Sequence, residues 1–142
     1  VNPSSVLLLA GDGNERIKLE NKIKEFNLEA NVIMTGNIVN VNEMLSAMDV
    51  FVFPSLFEGL GMALIEAQAN GLPCIVSDTI PDDAIITDLI KTISLNNDIK
   101  LWADTIINAK RNDSSVYWEK VIKEGYDVSL IGRNIEAVYE NK

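Results

Sequence analysis

Residues 50–73 read VFVFPSLFEGLGMALIEAQANGLP, and this stretch decides the fold. Its first four residues, 50–53, are an apolar run of strand length that ends at a proline. A glycine-rich turn follows, and residues 62–70 then favour a helix that stops at Gly71. A buried strand, a short turn and a helix together make the repeating unit of a parallel α/β sheet.

The same unit recurs along the chain, because short continuous apolar runs alternate with segments of helical spacing. Such runs are typical of strands that are buried on both faces. The sequence therefore predicts an α/β fold with a doubly wound, mostly parallel sheet of about five strands, helices on both faces and a helical C-terminal end. Strands are predicted at 6–10, 32–35, 50–53, 74–76 and 92–95, and helices at 15–27, 41–48, 62–70, 98–109, 115–124 and 129–139.

Composition limits the classes of function. The 142 residues are 47% hydrophobic, which predicts a single domain over 1–142. A net charge of -9 disfavours nucleic-acid binding, and no apolar run approaches the length of a membrane span. The absence of histidine excludes Ser-His and Cys-His couples and histidine-ligated metals from this chain. The single cysteine, Cys74, lies in an apolar run and indicates a buried thiol in a reducing, cytoplasmic setting.

Two carboxylates flank the start of the helix predicted over 62–70. In open α/β sheets, ligands bind outside the carboxyl ends of the strands, where this turn lies. The first turn of a helix offers unpaired N–H groups and a positive dipole end, and glycines let a ligand approach the main chain. Glu58 precedes the helix and Glu66 lies about 6–8 Å inside it along the axis, at 1.5 Å per residue. A carboxylate, a helix N-terminus and a second carboxylate suit a ligand with hydroxyls, an anion and further hydroxyls, as in a nucleotide diphosphate sugar.

A structural role is the alternative for both acids. Glu58 would cap the helix start, and Glu66 would be a solvated helix residue. The neighbours of Glu66 weaken this alternative, because Ala63, Leu64, Ile65 and Ala67 leave little polar face on the helix.

A second glycine-rich turn, Gly11-Asp12-Gly13, follows the first predicted strand and resembles part of a dinucleotide fingerprint. Arg16 stands where the third glycine is expected, so a plain tight turn is the favoured interpretation. No Asp-x-Asp pair is present, and no metal or other cofactor is expected.

With these residues in view, the chain resembles the C-terminal, donor-binding domain of retaining GT-B glycosyltransferases of family 4, the glycosyl transferases group 1. The resemblance rests on Glu58 and Glu66 separated by seven residues, on Phe53-Pro54-Ser55 before them, and on Gly71-Leu72-Pro73 after them. It extends to residues 9–13, 32–36 and 48–52 and covers nearly the whole chain. Residues 68–78 resemble enzymes that build capsular or exported polysaccharide.

The resemblance implies a hexosyltransferase-type enzyme with a nucleotide-sugar donor, a UDP-sugar above all, no metal, and retention of configuration. It assigns Glu58 to the donor sugar and the reacting carbon, as a nucleophile or, the option favoured here, as an electrostatic stabiliser. Glu66 would bind the ribose diol. The remaining binding residues are Gly59, Leu60 and Gly61 for the sugar, Met62 and Ala63 for the phosphate, and Asn37, Ile38 and Asn40 for the base.

The chain also departs from the family pattern. The family's first strand and loop, which carry an Arg and a Lys for the diphosphate, are expected upstream of Val1 together with the N-terminal domain that binds a glycan or lipid-linked acceptor. The chain alone is therefore expected to bind its donor weakly and to be inactive. The protein is expected in the cytoplasm, and the missing domain could hold it at the inner membrane face. A non-catalytic Rossmann-like nucleotide-binding or regulatory module stays open as the alternative.

Overall fold

The structure is a computed structural model that describes residues 4–111 and 114–127 and, singly, residues 129, 132, 136 and 139. The helix predicted over 129–139 falls where only these single residues are described, so it stays a prediction. The described chain forms two compact units, Val1–Val41 and Asn42–Lys142, which are described separately below. This division does not test the prediction of a single domain over 1–142, which stays a prediction.

The first unit is one strand–helix–strand repeat: β1 (Leu7–Ala10), α1 (Arg16–Glu25) and β2 (Val32–Gly36). The two strands pair in parallel, with Leu7 opposite Val32 and an irregularity between Leu9 and Ala10. Beyond this irregularity the Gly11 N–H donates to the Gly36 carbonyl at 2.9 Å, and Gly36 adopts a φ of 67°. This left-handed conformation favours glycine and lies at the last residue of β2.

The second unit is a parallel three-stranded sheet in the order β3-β4-β5. Phe51 lies opposite Cys74 and Cys74 lies opposite Ile90, so β4 is the central strand. The elements are α2 (Val41–Ser46, whose first residue belongs to the first unit), β3 (Phe51–Phe53), α3 (Met62–Ala69), β4 (Cys74–Ser77), a 3-10 turn (Asp82–Ala84), β5 (Ile90–Ile93), α4 (Ile99–Asn108) and α5 (Ser114–Lys123).

Apolar clusters cover both faces of this sheet. On one side, Ile75 of β4 and Ile93 of β5 pack with Trp102 of α4. On the other side, α3 contacts β3 and β4, and its residues Ile65 and Ala69 pack with Val121 of α5. All four residues of β4 are buried, as expected for a central strand without a solvent face. The predicted class, a parallel α/β fold with helices on both faces, is confirmed.

The five predicted strands are present, in sheets of two and three strands. The fifth was predicted over 92–95 and begins two residues earlier, as Ile90–Ile93. The reason is that the exposed Lys91 interrupts the apolar pattern and separates Ile90 from the rest of the strand. Among the described helices, each predicted range agrees with the observed one within three residues at either end.

Cys74 opens β4 with none of its surface exposed. Burial raises the pKa of its thiol to about 12, so the group stays protonated at neutral pH. The predicted buried, structural thiol is confirmed.

Arg111 binds the C-terminal ends of two helices. Its Nη1 donates to the carbonyls of Ser46 at 2.8 Å and Met48 at 2.6 Å, around the end of α2, with a longer contact to Leu45 at 3.4 Å. Its Nη2 donates to the carbonyl of Asn70, the C-cap of α3, at 3.1 Å. A guanidinium can satisfy several orphan carbonyls at once and complements the negative dipole end of each helix.

Replacing Arg111 with Met is expected to lower the free energy of unfolding by about 1–2 kcal/mol. Hydrogen bonds from a charged donor are worth roughly 1.5–3 kcal/mol each, and the exposure of Arg111 reduces that value. Urea unfolding measures the change. Lys110→Met, at the neighbouring exposed cation, is the matched control and should change stability by less than about 0.5 kcal/mol. Equal effects of the two substitutions would contradict the helix-end role.

Candidate functional site

The turn between β3 and α3, residues 54–61, lies at the carboxyl end of β3, where the sequence placed the site. Gly61 precedes α3 with φ 66° and ψ 55°, a left-handed conformation that side chains other than glycine rarely adopt. The first backbone bond of α3 runs from the Leu64 N–H to the Gly61 carbonyl at 2.8 Å. The N–H groups of Met62 and Ala63 in the first turn therefore lie before that bond and point out of the helix end.

Glu58 is held within this turn and does not cap the helix. Gly61 is the N-cap of α3, and no side chain caps it, so the alternative in which Glu58 is a capping acid is not supported. Instead, the Ser55 hydroxyl donates to the Glu58 carboxylate, Oγ to Oε1, at 2.8 Å. Glu58 is half-buried while Leu56 and Phe57 before it are 82% and 86% exposed. One carboxylate oxygen is thus anchored, and the side chain borders an accessible turn.

Glu66 lies in the second turn of α3 and is half-buried. It is flanked by Ile65, 2% exposed, and Ala67, fully buried, and from 64 to 69 it is the one residue that reaches solvent appreciably. Its carboxylate has no hydrogen-bond or ion-pair partner among residues 4–111 and 114–127. A half-buried acid without an internal partner is available to accept hydrogen bonds from a ligand.

The other residues predicted at this turn line its surface. Gly59, Leu60, Met62 and Ala63 are exposed, and Gly61 is half-buried. The structure therefore brings Glu58, the glycines and the start of α3 together in one accessible turn, with Glu66 further along the same helix.

The residues predicted for the base belong to the first unit. Asn37 and Asn40 are exposed and Ile38 is half-buried, in the segment that follows β2. They lie beyond the carboxyl end of a parallel strand, as predicted. Because the turn after β3 belongs to the second unit, the structure describes these two groups of residues separately.

In the turn Gly11-Asp12-Gly13, a side chain of the turn itself binds the main chain. Asp12 accepts a hydrogen bond from the Gly13 N–H at 2.8 Å, so a main-chain donor that a pyrophosphate would use is already paired. Arg16 begins α1 and lies in ion pairs with Asp12 at 3.6 Å and Glu20 at 2.9 Å. These contacts favour the plain tight turn over the dinucleotide site.

Sequence reasoning missed the side chains that anchor the turn. The carbonyl of Ser55 accepts hydrogen bonds from two hydroxyls at the carboxyl end of β4, those of its last residue, Ser77, and, at 2.6 Å, of Thr79. A usable signal was present, because hydroxyl residues follow two successive predicted strands whose carboxyl ends meet at one edge of the sheet.

The second unit also has two open clefts. One, of about 510 Å³, lies beside Pro73, Leu89 and Asn108, and the other, of about 480 Å³, is lined by Leu60, Asp83, Glu124 and Tyr126 among others. Neither contains Glu58 or Glu66. Within the described residues, no group of three or more Cys, Asp or Glu side chains could hold a metal ion, and no helix is long and apolar enough to cross a membrane.

The fold and this turn define the class of the protein. Sucrose-phosphate synthase from Thermosynechococcus elongatus shares the fold with a TM-score of 0.76 at 22% identity, over 99% of this chain and 40% of that one. The chain thus has the Rossmann-like half of a GT-B fold. The sequence profile of the family described as "Glycosyl transferases group 1" matches residues 1–127, and the chain belongs to that family.

Curated relatives agree with this assignment. The chain is 40% identical to "Putative glycosyltransferase EpsF" of Bacillus subtilis (strain 168), over 85% of this chain and 33% of that protein. It is 37% identical to the Escherichia coli "UDP-Gal:alpha-D-GlcNAc-diphosphoundecaprenol alpha-1,3-galactosyltransferase", over 75% of this chain and 27% of that protein. The chain therefore spans about a third or less of the length of these relatives.

Proposed function

We propose that the chain is the donor-binding part of a longer, retaining and metal-independent glycosyltransferase that moves a sugar from a nucleotide sugar to a glycan or lipid-linked acceptor. The observation that carries the proposal is the arrangement of the two glutamates about the start of α3. Glu58 is anchored by Ser55 before the open helix end, and the half-buried carboxylate of Glu66 in α3 has no partner among the described residues.

Each part of this turn suits one part of the donor. Glu58 faces the sugar and stabilises positive charge at the reacting carbon, because a carboxylate near an oxocarbenium-like state lowers its energy. The main chain at Gly59, Leu60 and Gly61 binds sugar hydroxyls. The N–H groups of Met62 and Ala63 bind the nearer phosphate, and Glu66 accepts from the ribose diol. Binding of the base by Asn37, Ile38 and Asn40 of the first unit stays a prediction from the resemblance.

The charge balance indicates that further residues take part. A nucleotide diphosphate is an anion, whereas this chain carries a net charge of -9. No cation pairs with Glu58 or Glu66 among the described residues. The proposed donor site therefore includes the Arg and Lys of the family pattern, opposite the diphosphate. Charge-assisted contacts are worth about 1.5–3 kcal/mol each, so the chain alone should bind its donor weakly and transfer no sugar.

A UDP-sugar is the favoured donor. The Escherichia coli relative is named for transfer from UDP-Gal to a diphosphoundecaprenol-linked acceptor. The proposed role is therefore a cytoplasmic step of polysaccharide biosynthesis in which the acceptor is bound by another domain of the full-length protein. That domain would also determine whether the full-length protein binds the inner membrane face.

Glu66→Gln tests the function. In the full-length protein we expect UDP to bind roughly 10- to 100-fold more weakly, because the variant loses charge-assisted hydrogen bonds to the ribose diol. The melting temperature should stay unchanged, since the wild-type carboxylate bonds to none of the residues that the structure describes. Titration calorimetry with UDP, GDP and ADP measures binding, and Glu119→Gln, at an exposed acid of α5, is the matched control.

Two results would count against the proposal. Failure of the full-length protein to bind any of the three nucleotides at millimolar concentration would exclude the donor site. A lower melting temperature of Glu66→Gln with unaltered nucleotide binding would instead favour the alternative, a non-catalytic α/β module in which both glutamates are structural.

A further inference from the structure

Resting on the proposed function, we infer that Ser55 is a positioning residue that fixes the Glu58 carboxylate, and that Ser77 and Thr79 fix Ser55 in turn. The arrangement connects the end of β4 to the turn after β3 through side-chain hydroxyls. It gives three residues a role in sugar transfer that the two-glutamate pattern does not include.

Strand register brings these residues together. Phe53 at the end of β3 pairs with Val76 of β4, so the chain segments just beyond the two strands run side by side. Ser55 leaves β3 two residues later, and Ser77 and Thr79 lie at the same edge of the sheet. Both hydroxyls donate to the Ser55 carbonyl, which has two lone pairs and can accept both bonds.

The direction of these bonds follows from a count of protons. Each hydroxyl has one proton, and the carbonyl of Ser55 can only accept, so Ser77 and Thr79 are the donors there. The Glu58 carboxylate oxygen also accepts, and the Ser55 hydroxyl donates to it. Its distance to Glu58 Oε1, 2.8 Å, is shorter than its distance to the Phe57 carbonyl, 3.0 Å, and the charged acceptor is the stronger one.

Hydrogen bonds have to position this turn because apolar packing does not. Leu56 and Phe57 are 82% and 86% exposed and anchor nothing in the described core, and Gly59 has no atom within 4 Å of its Cβ position. The path from β4 through Ser55 therefore determines where Glu58 lies. A group that stabilises a reacting centre must be held to within about 0.5 Å, and a misplacement of about 1 Å can cost roughly 100-fold in rate.

Ser55→Ala in the full-length protein is the first test. We expect kcat for transfer from the nucleotide sugar to fall roughly 10- to 100-fold while UDP affinity and melting temperature stay unchanged. Ser55→Thr, which keeps the hydroxyl, should restore most of the rate. Thr79→Val should give a smaller loss, because Ser77 still donates to the same carbonyl. Ser46→Ala, which removes a hydroxyl bonded to Asn70 at 3.1 Å away from the turn, is the control.

A second measurement does not depend on catalysis. Amide 15N relaxation should show order parameters of residues 56–60 falling below about 0.6 in Ser55→Ala and remaining near wild type in Ser55→Thr. Unchanged order parameters in Ser55→Ala would overturn the positioning role, whether or not the wild type transfers sugar. Absence of transfer by the wild type would count against the proposed function alone. A wild-type kcat in Ser55→Ala would overturn the positioning role as well, with the proposed function intact.

Discussion

Replacing Gln68 with Leu is expected to lower the free energy of unfolding by about 3–5 kcal/mol. Gln68 is completely buried in α3, and its side-chain Nε2 donates to the Ala84 carbonyl at 2.8 Å. Its Oε1 accepts from the N–H groups of Ile86 and Thr87, both at 3.0 Å, and from the Thr87 hydroxyl at 3.1 Å. Leucine fills the same volume but leaves these groups unpaired, and each buried group without a partner costs about 1–3 kcal/mol.

Urea unfolding of the variant and the wild type measures this cost. Gln68→Glu tests the accepted hydrogen bonds separately from the donated one. A carboxylate can still accept from Ile86 and Thr87, but it places a charge in the core. The control is Asn108→Ala, which removes an exposed amide bonded to the Asp104 carbonyl at 2.7 Å and should cost less than about 0.5 kcal/mol. A loss below about 1 kcal/mol in Gln68→Leu would show that segment 84–87 is held by other contacts.

Glu58→Gln is expected to reduce kcat for sugar transfer by about 100- to 1000-fold in the full-length protein. The amide oxygen can still accept from the Ser55 hydroxyl, so the turn keeps its geometry, and only the negative charge is lost. Loss of one preorganised electrostatic contact to a transition state costs about this much. UDP affinity and melting temperature should change little, because Glu58 faces the sugar and not the nucleotide in the proposed site.

Initial rates at saturating donor and acceptor measure kcat. Glu124→Gln, at an exposed acid directly after α5, is the matched control and should keep the wild-type rate. Mass spectrometry of the enzyme during turnover should show no glycosylated Glu58, as expected of a stabiliser. A trapped glycosyl ester at Glu58 would establish a nucleophile instead, and a rate in Glu58→Gln within threefold of wild type would remove Glu58 from the reaction.

Much of the fold was predictable because the pattern of apolar residues is set by burial. The strands at 74–76 and 50–53 are continuous apolar runs, and both are found within a residue of their predicted bounds. The predicted start of the fifth strand was two residues late, because the exposed Lys91 separates Ile90 from the apolar residues that follow.

The candidate site was predictable to the level of the turn. Glycines at 59 and 61 and the following helix indicate an accessible helix start, and Gly61 does adopt the left-handed conformation before α3. The hydrogen-bond partner of Glu58 was not predictable. Glu58 was weighed as a helix cap, and the structure instead places it under the Ser55 hydroxyl.

The sequence by itself determined the order of strands and helices, the parallel α/β class and the position of the two glutamates about one helix start, because these follow from local periodicity and turn residues. Only the tertiary structure decided what holds the turn and the helix in place. Ser55 meets Thr79, 24 residues away, and Gln68 meets Thr87, 19 residues away. The physical reason is that strand register and helix packing create these contacts, and neither is visible in the spacing of residues along the chain.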